Sequence, residues 1–297
     1  MEFFYEGKDI SNDVSIRTAE LTDTSGERLD SVTLEINNPI NEWSKWHPNK
    51  YDTMYVKEGA FSSGKMIVDT IKQRDGYIIL KGLPIKKISK EKHTKSWEDV
   101  TLMELLSEFS SKYGLSLKTY GVQNFTYKRV NQINVPDFVF LNERCAIEGY
   151  VLKISDGALI IFDEKVMESS TGIIIDSNQI VGNFKYSENE VYGSVKVKYG
   201  SIEGIYKAIE GPELVVDHIE VNSIGEAQRF AKNILRNTNK YENTISFDTK
   251  LNTHVAAGST ITVNGLGMGD SKYYVYTAIY QFEKDITRFC VRQIPSW

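Results

Sequence analysis

Cysteine is nearly absent. Cys145 and Cys290 are the two cysteines among 297 residues. They lie far apart and form no CxxC pair, which excludes a disulfide framework and suits a chain made in a reducing compartment. Proline is sparse too, at 6 residues, while 17 Tyr and 13 Phe supply far more aromatic surface than a disordered chain carries. No apolar run is long enough to span a bilayer, so no direct membrane insertion is expected. The opening Met1–Lys8 has no basic stretch followed by an apolar core and does not read as a secretory leader. A basic excess is also missing: 35 Lys and Arg stand against 40 Asp and Glu, a net charge of −5. That argues against a general nucleic-acid or membrane-surface binder, and no nucleic-acid sequence recognition is expected. The densest basic stretch, Lys86, Lys87, Lys90, Lys92 and Lys95 broken by Glu91, reads as a solvated linker, with contact to an acidic partner as the alternative.

What is present is an ordinary globular composition, 41% hydrophobic and 25% charged, in a chain long enough for two or more domains. Residues 1–95 read as β. Ser31–Ile36 alternates polar and apolar, the period of a half-buried strand, and stops at Asn37-Asn38-Pro39. Met66–Ile71 and Tyr77–Leu80 flank Arg74-Asp75-Gly76, a hairpin signal because Asp and Gly tolerate positive φ.

Residues 96–180 change character. Thr101-Leu102-Met103-Glu104 is a capping box, and Leu102, Leu105, Leu106, Phe109 and Tyr113 then share one helical face up to Gly114. Leu115–Lys118 reads as a short strand. Pro136 suits the first turn of a second helix, on which Phe138, Leu141, Cys145 and Glu148 share a face, with Gly149 as its stop. Tyr150–Ile154 and Ala158–Phe162 form a hairpin across Asp156-Gly157. This is a compact mixed α/β unit.

Residues 181–297 return to β. Tyr192–Tyr199 alternates, and one helix over about 223–238 interrupts. It is announced by the capping box Ser223-Ile224-Gly225-Glu226 and striped by Ala227, Phe230, Ala231, Ile234 and Leu235. Strands follow near Thr244–Phe247, Ser259–Val263, Tyr273–Tyr280 and Arg288–Ile294. The expected fold class is α+β, mainly β: two β-barrel, tube-like domains (1–95 and 181–297) separated by a small α/β domain (96–180).

Signs of chemistry are few. Gly265–Gly269 has the glycines of a phosphate loop, but a phosphate cradle needs a helix N-terminus behind it, and Lys272–Tyr280 is strand-like; a hairpin loop is expected. Cys145 sits on an apolar stripe and Cys290 in an alternating strand, where a structural thiol is expected rather than a nucleophile. His47, His93, His218 and His254 form no HExxH and no zinc spacing with a cysteine. Asp217-His218 reads as loop polarity. Carboxylates are plentiful, yet nothing singles out the facing pair that glycoside hydrolysis needs, and Gly-x-Ser-x-Gly is absent. Trp43 and Trp46, with His47 and Pro48, are the best candidates for a binding surface, against an equal expectation that they plug a barrel end. No residue is assigned a catalytic, cofactor-binding or metal-binding role, and no cofactor is expected.

The order of elements resembles the baseplate hub family of contractile-tailed phages, which includes late-control D-type tail proteins and relatives in defective prophages and phage-tail-like bacteriocins. The hub part of type VI secretion spikes shares the plan. Four stretches carry the resemblance. Arg28-Leu29-Asp30-Ser31-Val32-Thr33-Leu34 is similar to the family's aspartate-serine opening of an alternating strand. Thr101–Leu106, running to Lys112-Tyr113-Gly114-Leu115, is similar to its helix ending in His/Tyr-Gly-Leu. Asn131–Leu141, then Gly149-Tyr150 and Asp156–Phe162, is similar to its helix and hairpin. The helix Ala227–Leu235, the Gly258 loop and Tyr274-Val275 complete the match. Where the family pattern reads Gln-x-x-Glu-Ser-Asp, this chain has Gln132-Ile133-Asn134-Val135-Pro136-Asp137.

The resemblance implies a non-enzymatic structural hub in the virion or a phage-tail-like particle, synthesised in the bacterial cytoplasm. It implies a homotrimer whose two tube-like domains per subunit form a pseudo-sixfold ring, adapting the sixfold tail tube to the threefold spike. The implied partners are tail tube protein, spike protein and other baseplate or tape-measure proteins. The alternatives are a peptidoglycan-directed hydrolase or binding module built on residues 96–180, and a carbohydrate-binding tail tip using Trp43 and Trp46.

Overall fold

The structure, a computed structural model, describes residues 1–26, 28–39, 48–86 and 91–297. Short strands form wherever the sequence alternates. They are β1 (Glu2–Tyr5), β2 (Lys8–Asp9), β3 (Ile16–Thr24), β4 (Ser31–Asn37), β5 (Thr53–Glu58), β6 (Phe61–Ser62), β7 (Met66–Arg74) and β8 (Tyr77–Leu83). In β4 the alternation is strict: Val32, Leu34 and Ile36 are fully buried and the residues between them are not. The β7–β8 hairpin turns at Asp75-Gly76, where Gly76 takes φ +78°.

Next come β9 (Lys92–Thr101), α1 (Leu102–Lys112), β10 (Ser116–Tyr120), β11 (Thr126–Pro136), α2 (Asp137–Ile147), β12 (Tyr150–Ser155), β13 (Ala158–Asp163) and α3 (Glu164–Glu168). β9 and β11 form an antiparallel ribbon; β10, β13 and β12 form a second sheet, with β10 parallel to β13. The Thr101 box is complete: its hydroxyl accepts from Glu104 N–H while the Glu104 carboxylate accepts from Thr101 N–H. Pro136 stands at the N-cap itself, one position before the first turn, and offers no side-chain cap. Asp156 and Gly157 both adopt positive φ, as a two-residue hairpin of this hand requires. The helices and hairpin share one core, including Leu102, Leu106, Phe109, Leu141, Cys145 and Ile161.

After β14 (Ile173–Asp176) and β15 (Ile180–Glu188), the chain builds a separate unit. It consists of β16 (Ser194–Tyr199), β17 (Ile202–Lys207), β18 (Glu213–Val216) and α4 (Ile224–Asn239). This helix therefore does not lie within the larger sheet formed by the rest of 181–297. It packs on its own three-stranded sheet, with Val195 and Val197 facing Ala227, Phe230, Ala231 and Leu235. Alternation in Tyr192–Tyr199 announces a buried face but not which partner covers it. The second capping box is half made: Ser223 Oγ accepts from Glu226 N–H, but Glu226 reaches past Ser223 to the N–H of Asn222.

The chain ends in β19 (Asn243–Lys250), β20 (Thr260–Asn264), β21 (Ser271–Gln281) and β22 (Ile286–Gln293). These strands join those of residues 1–83 in one 14-stranded sheet of order β15-β19-β22-β21-β3-β4-β8-β7-β5-β1-β2, with β20 also on β21, β14 on β20 and β6 on β5. The fold is mainly β. Among the described residues no ladder closes either half into a barrel, but β14 and β15 stand at opposite margins of the run β14-β20-β21-β22-β19-β15 and are linked by one short turn, Ser177–Gln179. A turn that short brings the two margins together, so this half is rolled. One core serves both halves, with Phe3, Leu34 and Val68 from one and Phe247, Ile261 and Phe289 from the other.

Gly204 on β17 lies against α4, where a Cβ would come within 2.4 Å of Gln228 N and 2.5 Å of the Ala227 carbonyl carbon, whereas Gly225 in α4 has nothing within 4 Å. Gly204→Ala is expected to destabilise by about 1–3 kcal/mol through overpacking. Gly225→Ala is expected to be neutral or to stabilise by up to about 1 kcal/mol, since Ala is the better helix former. Thermal unfolding of the two variants beside the parent checks the contrast.

Candidate functional site

The residues with chemical potential in the sequence do not converge. Cys145 is fully buried in the α1–α2 core, and that burial pushes its thiol up to about 12. Cys290, half-buried on β22, is also raised by burial. Both settings disfavour thiolate. Gly265–Gly269 joins antiparallel β20 and β21 through a single 3₁₀ turn, so no helix N-terminus faces it. His218 and His254 are exposed in loops. Among the described residues no group of three or more His, Cys, Asp or Glu could hold a metal ion. Trp43, Trp46 and His47 lie outside the described residues, as do Lys87 and Lys90 of the basic stretch. Lys86 stands 5.3 Å over the Tyr51 ring, and Lys95 is 2.5 Å from Glu108.

The segment preceding α2 does converge on one carboxylate. Asp137, whose side chain is 1% exposed, accepts from Gln132 Nε2 at 2.8 Å, Tyr113 OH at 2.8 Å and Lys112 Nζ at 2.5 Å, and His93 Nε2 is 4.0 Å away. Burial pushes this carboxyl up, but the donors outweigh it and hold Asp137 below its ordinary value. Gln132 and Asp137, the two positions that carried the sequence resemblance in this segment, are bonded to each other. The cluster staples β11 to the ends of α1 and α2, and its carboxylate is saturated with donors.

Three more ionic clusters, which sequence reading missed, sit where the units meet. In the first, Lys153 Nζ on β12 pairs with Asp23 Oδ1, lies 3.2 Å from Asp30 Oδ2, and donates to Thr24 O at 2.7 Å. Asp30 also accepts from Thr24 N–H, and Asp23 from Ala257 N–H, both at 2.8 Å. Burial, opposed by Lys153 and reinforced by Asp23, raises the Asp30 carboxyl to about 6. In the second, Arg229 on α4 grips Glu148 at the end of α2 in two-pronged fashion, at 2.8 and 3.1 Å, while Tyr127 OH donates to the same carboxylate. The third is the most buried. Arg292 on β22, 0% exposed, donates to Glu168 Oε1 at 2.7 Å and lies 3.3 Å from Glu164. Arg236 Nη2 donates to Glu168 Oε2, and Lys240 lies 3.3 Å from Glu164. This cluster ties α3, α4 and the large sheet together. Burial raises the Glu164 carboxyl, but Lys240 and Arg292 outweigh it and leave it below its usual range.

Exposed apolar side chains gather on the margins of the rolled half. Ile173 and Ile174 on β14, and Val181, Phe184 and Tyr186 on β15, are all exposed, Ile174 by 59%. Among the described residues β14 is laddered only to β20 and β15 only to β19. Unpaired strand edges carrying large apolar residues are the usual sites of strand or protein docking.

No protein-family model matches the chain, and no curated protein sequence does. Solved structures do match. A 43 kDa tail protein of prophage MuSo2 from Shewanella oneidensis is 11% identical, with 98% of this chain and 97% of that chain covered at a TM-score of 0.77. A tail protein from Neisseria meningitidis MC58 is 12% identical, with 98% and 95% covered at 0.78. The E. coli c3393 protein, a type VI secretion component similar in structure to T4 bacteriophage tail proteins gp27 and gp5, is 7% identical, with 100% and 78% covered at 0.67. The chain has a phage tail-protein fold.

Two outcomes follow for the clusters. Glu168→Gln removes the charge that Arg292 and Arg236 share and is expected to cost about 3–5 kcal/mol, read from denaturant unfolding. Asp30→Asn keeps the oxygen that receives Thr24 N–H but cannot ionise. Because the folded-state value of Asp30 is raised, from 3.8 to about 6, the parent loses stability as pH rises through that window and none above it. The melting temperature of Asp30→Asn relative to the parent is therefore expected to rise between pH 4 and pH 6 and then level off. A flat difference would remove the electrostatic account of this joint.

Proposed function

We propose that this chain is a non-enzymatic structural component of a phage tail or phage-tail-like particle, acting as a baseplate hub. The carrying observation is the likeness to tail proteins over 98% of this chain and 97% of the MuSo2 protein, with no large segment left over on either side. In this reading residues 1–95 and 181–297 supply two tube-like modules, the second including β16–β18 and α4, and residues 96–180 form the α/β insert between them. Three copies close a ring by heterologous contacts, and the ring adapts the sixfold tube to the threefold spike. The exposed margins β14 and β15 support the reading, because a ring buries such edges between neighbouring copies. The buried ionic joints support it as well, since a part that transmits mechanical load needs units held in one arrangement. Tail tube, spike and other baseplate proteins are the proposed partners, and the assembled particle is the proposed location.

Light scattering of the purified chain, alone and mixed with tail tube and spike proteins of the same particle, tests this. The expected result is a trimer, alone or on mixing, that the double variant Ile174→Lys, Phe184→Lys reduces to a folded monomer. A chain that stays monomeric under all these conditions and clears cell walls in a zymogram would overturn the proposal.

A further inference from the structure

The insert and the α4 unit do not touch everywhere. Between β11 and α2 on one side, and Tyr199 with the loop His218–Glu220 on the other, lies a cleft of about 540 Å³, a volume typical of sites for small ligands and short peptide segments. Arg144 of α2 lines it and is 8% exposed. Its guanidinium centre stacks 4.0 Å from the centroid of the Tyr127 ring and 5.3 Å from that of Phe230. Glu148, one neighbouring carboxylate, is already taken by Arg229 and Tyr127; Glu143 and Glu220 also line the cleft, and Glu220 accepts from Asn131. Arg144 Nε–H has no hydrogen-bond partner. Aromatic stacking engages the faces of a guanidinium, and its edge is what binds carboxylates. Nε itself is closed off, so an occupant of the cleft would meet the terminal end of the same guanidinium, which lines the cleft.

The cleft rim carries a second, independent feature. The β9–β11 ladder shifts register between Gln132 and Val135, with Asn134 at φ +51°. A bulge re-aims side chains, and here Ile133 is left 69% exposed on the cleft wall. Phe140, Ile147 and Ile219 extend the apolar lining. Across the mouth, Asn131 Nδ2 donates to Glu220 Oε2 at 2.8 Å, and Arg129 Nε donates to Asn131 Oδ1 at 3.1 Å, which fixes the distance between the two walls.

We propose that this cleft receives a peptide segment of a partner protein in which a Glu or Asp carboxylate stands beside branched aliphatic residues, the carboxylate meeting Arg144 and the aliphatic groups meeting Ile133 and Ile219. The inference does not rest on the hub reading; it holds for any partner that presents such a segment.

The test uses the full chain and two fluorescent octapeptide pools with randomised flanks, one fixed at a central Ile-Glu-Ile and the other at Ile-Gln-Ile, read by anisotropy. The Glu pool is expected to bind about tenfold more tightly, as a charge-assisted bond requires. Ile133→Ser, on an exposed bulge, is expected to weaken binding with the melting temperature unchanged. Arg144→Met is expected to abolish the Glu/Gln discrimination while melting no lower than the parent, because it removes an incompletely paired buried charge. The proposal is overturned by equal affinity for the two pools, by absence of binding to both, or by an Arg144→Met variant that melts well below the parent and still discriminates. Arg144-dependent binding of N-acetylmuramyl dipeptide with neither pool bound would also overturn it in favour of a cell-wall ligand.

Discussion

The double pairing of β21 is the constraint on which the architecture depends. On one side β21 is laddered to β22. On its other side the first half, Ser271–Tyr274, pairs with β20 and the second half, Thr277–Gln281, pairs with Glu20–Thr24 of β3. The β21–β22 register shifts between Val275 and Thr277, and the carbonyl of Tyr276 at that step accepts from Ser25 N–H. A bulge bends a strand and increases its twist. One long strand can therefore serve the rolled C-terminal half with its first residues and the N-terminal half with its last. Backbone groups joined across more than 250 residues make the two β regions one hydrogen-bonded object with a common core, across which Phe61 and Tyr280 meet at 4.9 Å.

The smaller units are attached by other means. The insert and the α4 unit have separate apolar cores, and at the seams they meet the large sheet through buried charge. Such clusters contribute little net stability, because desolvation offsets most of the Coulomb attraction, but they penalise every arrangement that separates the partners. Their geometry is selective. Lys153 reaches two carboxylates from different parts of the Asp23–Asp30 corner, and Glu168 is shared by arginines from a strand and a helix. Gly26 completes the first seam: a Cβ there would stand 2.1 Å from Val151 Cγ1, so the corner fits against β12 only with glycine at that position.

An identity of 11–12% over nearly whole chains means that one fold is reached with most side chains different. In this chain the elements of that fold rest on local pattern: alternation in the strands and capped helices. Within it, the Gln132–Asp137 bond ties the end of β11 to the start of α2 without any cap from Pro136.

Local signals in the sequence determined most of the elements. The Thr101–Glu104 box, the Asp156-Gly157 turn and the strict alternation of Ser31–Ile36 are short-range, and each names its own conformation. Long-range placement was not legible. Period two shows that β16 and β21 bury a face, yet the same alternation fits a helix above, a neighbouring sheet, or both, which is why α4 could be read as part of the C-terminal sheet. Lys153 and Arg292 occupy the polar phase of their strands and so read as solvent-facing; they are buried only because other units cover those faces. Secondary structure was thus written in neighbouring residues, while the sheet that joins the two ends of the chain, the charged seams and the cleft at Arg144 were decided by contacts between residues far apart in sequence, which no local period can encode.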